Sequence, residues 1–90
     1  MEPAARELSD AVLAEIRRIA VEELEMSRPP EPSDELIRDL HLDSISLITL
    51  ATGLENRFRV KLSENDGNGV VTVADLTALV LRRTTEAGAR

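Results

Sequence analysis

Ninety residues with a formal net charge of -6 describe one small acidic domain, large enough to fold around a modest core. The absence of cysteine excludes a disulfide framework, a zinc–thiolate site and a cysteine nucleophile. Without Trp or Tyr, and with Phe58 as the only aromatic residue, bases have no stacking platform, and the acidity disfavours nucleic acid and favours basic protein surfaces. No long apolar run opens the chain, so neither a signal peptide nor a membrane span is indicated, and a cytoplasmic monomer is expected.

In chain order, residues 1–7 read as a flexible tail rich in Ala and charge. A first helix follows, with Ser9 or Asp10 as its cap and Val12, Ile16, Ile19, Ala20 and Leu24 on one face. It must stop before Pro29-Pro30, because a proline ring excludes the α region for the residue before it. A long first loop runs over about 27–43. Such a length is uncommon unless functional or packed by its own side chains, and Leu36, Ile37, Leu40 and Leu42 suggest packing. The second helix spans about 44–59, with Leu47, Leu50, Ala51, Leu54 and Phe58 on its apolar stripe. Ile45 and Ile48 point partly away from that stripe, either as a partner surface or buried against the loop.

The stretch 63–71 contains Gly67 and Gly69 and holds at most a short or degenerate helical turn. A third helix starts at Thr72, with Asp75 completing a capping box, and buries Val73, Leu76, Leu79 and Val80. Residues 85–90 read as a second flexible tail. No period-two strand pattern occurs. The expected fold is all-α: a single domain over 1–90, a small bundle of three main helices whose stripes bury one another.

The most informative segment is Asp39-Leu40-His41-Leu42-Asp43-Ser44-Ile45, which sets a serine where the loop enters the second helix. Either Asp43 or Ser44 suits the N-cap position. A hydroxyl there is exposed, and the helix's free N–H groups and positive dipole end favour a phosphate attached to it. His41, Asp43 and Ser44 in one short turn do not make a hydrolytic triad, whose members must be held apart and aimed in sequence.

The segment resembles the modification site of acyl carrier proteins. The resemblance continues through Leu54-Glu55 and Phe58, Val60-x-Leu62 and Thr72-Val73-x-Asp75-Leu76, in register over nearly the whole chain. It implies that Ser44 carries phosphopantetheine, transferred from coenzyme A by a phosphopantetheinyl transferase. The chain would then be a carrier without a catalytic site of its own, holding acyl groups as thioesters. It would present them to synthases, acyltransferases or reductases of fatty acid, polyketide or related secondary metabolism. By the same resemblance Asp43 would serve partner recognition, and Ile45 and Ile48, apolar and off the core stripe, are candidates for the same surface together with Glu55. The chain departs from the family in three places. His41 stands where glycine is usual, the second helix has Glu55 as its only acid, and the segment 64–69 is a poor helix.

A rival reading takes 64–75 as a calcium loop of the EF-hand kind. Glu64, Asp66 and Asn68 alternate, a glycine follows, and Asp75 closes the loop. The first position would want Asp and the last the longer Glu, and no second loop accompanies it.

Overall fold

The structure is a computed structural model that describes residues 5–88, the side chains at 5, 64, 65 and 85–88 excepted. Helix α1 spans Ala5–Glu22, α2 Ser44–Phe58 and α3 Val73–Gly88, with a 3-10 turn at Glu64–Gly67 between the last two. The all-α bundle expected from the stripes is what forms. The nearest approach to a β element among the described residues is one antiparallel bridge, Glu35 with Thr72.

Helix α1 starts earlier than its presumed cap. Residues 5–10 contain Ala, Arg, Glu and Leu, good helix formers that extend it, so Ser9 and Asp10 lie inside the helix. At the other end α3 continues to Gly88. The expected tails are therefore helical over 5–7 and 85–88; the rest of that expectation, 1–4 and 89–90, lies outside the described residues. Helix α1 also ends well before the prolines. Glu25 turns left-handed (φ 56°), and the Met26 N–H reaches back six residues to the Ala20 carbonyl at 2.9 Å, closing the helix end.

The core joins Val12, Ile16 and Ile19 of α1 to Leu50 and Leu54 of α2 and Val73, Leu76 and Val80 of α3. Each such burial contributes about 1.5–3 kcal/mol. Helices α1 and α2 touch closely at Gly53, where a Cβ would stand 2.6 Å from Ile19 Cδ1.

The long loop is packed as its leucines suggest. Leu36, Leu40 and Leu42 are buried, whereas Ile37, expected as a further anchor, is exposed. Backbone bonds from Leu36 N–H to the Val71 carbonyl and from Val73 N–H to the Asp34 carbonyl, both 2.9 Å, fasten the loop to the entry of α3. Arg17 Nε donates to the Pro30 carbonyl at 2.9 Å and holds its other side to α1.

Candidate functional site

The turn that delivers the chain into α2 explains why histidine can replace glycine there. His41 is left-handed, with φ 57°. Its N–H bonds to the Ile37 carbonyl at 3.0 Å, and the Leu42 N–H to the Leu36 carbonyl at 3.1 Å. These nested bonds, which reach back four and six residues, close a motif with His41 in a left-handed position of the kind glycine usually fills. Leu36 and Leu42, the pair that such a motif brings together, are both in the core cluster. The buried leucines hold an angle that an L-residue adopts at a cost of about 1–2 kcal/mol.

Two residues later the capping question is decided. Asp43 is the N-cap: its backbone is extended, and Oδ1 accepts the Ser46 N–H at 2.8 Å. That N–H holds the Asp43 carboxyl below its ordinary pKa. Ser44 is thereby released from capping and becomes the first residue of α2. It is exposed, and no hydrogen bond from another described residue engages its hydroxyl. The hydroxyl stands at the positive end of a helix of 15 residues, beside a cap already occupied by a carboxylate.

Beside Ser44 an open cleft of about 910 Å3 runs between α2, the 3-10 turn and α3. Its apolar lining includes Leu47, Ala51, Leu62, Val70 and Leu79. The volume lies within the range of ligand-binding clefts. Of the large apolar side chains exposed among the described residues, Ile45 (75 %), Ile37 (66 %), Ile48 (64 %) and Val71 (51 %) are the most open, and all but Ile45 also line the cleft. Of the two readings of Ile45 and Ile48, burial is therefore excluded. Val71 was not singled out from sequence, and Ile37 was expected only as a packing anchor of the loop. Both lie outside the regular helices, where periodicity gives no signal.

Glu55 also lines the cleft. Its Oε2 accepts the Leu62 N–H at 2.7 Å, so the half-buried carboxylate braces the turn after α2.

The residues of the presumed calcium loop are engaged elsewhere. Asp66 accepts the Ser63 N–H at 2.8 Å and the Ser63 hydroxyl at 3.1 Å, and pairs with Arg83 of α3. The Ser63 N–H, then the Arg83 guanidinium, pull its carboxyl down to about 2. Asp75 caps α3 by accepting the Thr72 and Val71 N–H groups at 3.0 Å each, while its own N–H donates to Thr72 Oγ1 at 3.1 Å. Asn68 is exposed, and the Glu64 side chain lies outside the described ones. Among the described residues no three acidic, histidine or cysteine side chains gather as a metal site. The loop is a helix-capping turn latched by Asp66 and Arg83. The Arg83 partner lies 17 residues away with no local pattern to announce it.

Comparison with known proteins agrees with this geometry. Residues 14–80 match the family model described as a phosphopantetheine attachment site. The meromycolate extension acyl carrier protein of Mycobacterium tuberculosis is 32 % identical over 87 % of this chain. The chain spans 66 % of that relative's length. The protein of the same name from Mycolicibacterium aurum is 35 % identical over 78 % of this chain and 70 % of its own. An acyl carrier protein structure from Thermotoga maritima superposes with a TM-score of 0.77, covering 89 % of this chain and 94 % of its own at 21 % identity, a likeness of fold.

Proposed function

This chain belongs to the acyl carrier protein family, and from that premise we propose that Ser44 is where its phosphopantetheine is attached. The observation that carries the assignment is the division of labour at the entry of α2. Asp43 satisfies the cap, and the hydroxyl next to it is exposed and unengaged. A chain without cysteine has no thiol of its own, and the arm supplies one on which an acyl group is held as a thioester.

In the loading step Ser44 Oγ forms a bond to the phosphorus nearer pantetheine in coenzyme A. The bond from that phosphorus to the adenosine bisphosphate breaks, and the hydroxyl proton passes to a base on a phosphopantetheinyl transferase. What this chain contributes is placement. His41 and the buried leucines fix the turn, Asp43 fixes the first turn of α2, and the helix's positive end favours the resulting phosphodiester. The cleft beginning at Ser44 offers partial shelter to an apolar acyl chain, because its floor is aliphatic.

The chain acts, in this reading, as one carrier domain over 1–90 without a catalytic site of its own, in the cytoplasm where coenzyme A is available. Its partners are the transferase and acyl-processing enzymes such as synthases, acyltransferases and reductases. Relatives named for meromycolate extension add weight to fatty-acyl elongation over other settings. Among the described residues, no helix is long and apolar enough to cross a membrane.

The test is incubation with coenzyme A and a broad-range transferase. Intact mass should rise by one phosphopantetheinyl group, and Ser44→Ala should show no gain. A gain that persists in Ser44→Ala would place the attachment elsewhere.

A further inference from the structure

Three carboxylates that flank Ser44 each accept a hydrogen bond from the chain's own backbone. Asp39 Oδ2 accepts the Glu35 N–H at 2.7 Å, Asp43 Oδ1 the Ser46 N–H, and Glu55 Oε2 the Leu62 N–H. What α2 exposes is Ser44, Ile45, Ile48, Thr52, Asn56 and Arg57, with no carboxylate among them. Arg59 and Lys61 follow, both exposed. At helical spacing, Ile45, Ile48, Thr52, Asn56 and Arg59 form one stripe, apolar at the serine end and cationic at the other. The acids behind the net charge of -6 lie elsewhere, as with Glu7, Asp10 and Glu22 of α1 and Glu23, Glu25 and Glu31 beyond it, all exposed.

We propose that this stripe docks on acyl-processing enzymes whose carrier-binding surface offers an apolar socket for Ile45 and Ile48 and carboxylates opposite Arg59. The proposal rests on Ser44 as the loading point, since that places the stripe beside the arm. Charge complementarity decides the partner. A basic enzyme surface, which would suit the whole chain's net charge, meets no exposed carboxylate along this stripe and does meet the Arg59 guanidinium. Arg57 lies off this stripe, on the side of α2 that faces α1, 4.0 Å from Glu15 and over the Phe58 ring. An apolar and cationic stripe would also suit an anionic bilayer, but a chain of charge -6 is repelled by one, which favours a protein partner.

The experiment uses the chain loaded with phosphopantetheine, its mass checked first. The probes are a β-ketoacyl synthase with a basic carrier-docking surface and the same synthase with those basic residues changed to Glu. Activity of both synthases on a free pantetheine thioester confirms that they are folded. The loaded chain should give at least about tenfold higher kcat/KM with the acidic synthase at low salt. The variant Thr52→Glu/Asn56→Glu, which adds carboxylates at two exposed positions without removing a contact, should reverse that preference. Added salt should erase both effects. The variant Ile45→Ser/Ile48→Ser should lower kcat/KM with both synthases while leaving the melting temperature unchanged. The chain should not sediment with phosphatidylglycerol vesicles.

Equal use of both synthases, a preference for the basic one, or cosedimentation with the vesicles would overturn the proposal. So would indifference to loss of the two isoleucines. Failure to load at Ser44 would sink the attachment assignment as well, whereas normal loading without charge preference would sink the docking proposal alone.

Discussion

The contact between α1 and α2 at Gly53 gives a sharp test of the packing that orients the site. Replacing a helix-interior glycine by alanine should stabilise a helix by about 0.8–1 kcal/mol. Here the new methyl would lie 2.6 Å from Ile19 Cδ1, and Ile19 is fully buried, so its side chain has no open direction in which to retreat. Overpacking of this kind costs about 1–3 kcal/mol. Gly53→Ala should therefore be a net loss of about 1 kcal/mol. Ile19→Val removes the offending Cδ1 and by itself costs about 1 kcal/mol. The remaining neighbour, Cγ1, lies 3.4 Å away, an ordinary contact. In the Ile19→Val background Gly53→Ala should then recover its propensity gain of about 1 kcal/mol, a coupling of about 2 kcal/mol between the two sites. Urea denaturation of the four proteins measures it. Thermal midpoints should follow at about 4–8 °C per kcal/mol for a domain of this size. If Gly53→Ala stabilises equally in both backgrounds, the helices do not approach as described.

Other expectations follow from single interactions. His41→Gly should stay within about 1 kcal/mol of the parent, since relief of the left-handed angle offsets added freedom in the unfolded chain. His41→Val should cost more than about 1 kcal/mol, because a β-branched residue is a poor fit at positive φ; chemical denaturation distinguishes the two. Thr72→Ala, which removes the acceptor for the Asp75 N–H, should cost about 1 kcal/mol in the same assay. Acid titration reports on Asp66. Its folded pKa is depressed to about 2 from an ordinary 3.8, so its stabilising contribution is fully present above 3.8 and is lost as pH falls towards 2. Asp66→Asn should flatten stability over that window, and a circular dichroism titration showing the parent's unchanged slope would contradict the latch.

Most of the bundle was legible because its helices announce themselves locally. Spacing such as Val12, Ile16, Ile19 and the Thr72/Asp75 capping box are short-range signals, and the structure contains both. The helix ends were less legible. Ser9 and Asp10 are good caps by type, but the residues before them are good helix formers and nothing stops the helix there. Glu25 and His41 end their turns left-handed without glycine, so neither advertised its role, although the departure from glycine at His41 did point to an unusual angle. At the site, Ser44, Ile45 and Ile48 were found from sequence and are exposed. For Glu55 no local pattern announced its partner, the Leu62 N–H, because a turn seven residues away supplies it. The calcium reading failed for a similar reason. Ligand spacing shows which oxygens could converge, but not that Arg83 and two backbone caps already hold them.

The most direct test of the account is to locate the modification at residue level. Trypsin should release residues 39–57, from the cut after Arg38 to the cut at Arg57, and this peptide holds both Ser44 and Ser46. Fragmentation of the peptide from loaded protein should place the phosphopantetheinyl mass on Ser44, the residue freed by the Asp43 cap. Finding it on Ser46, or outside this peptide, would contradict the account.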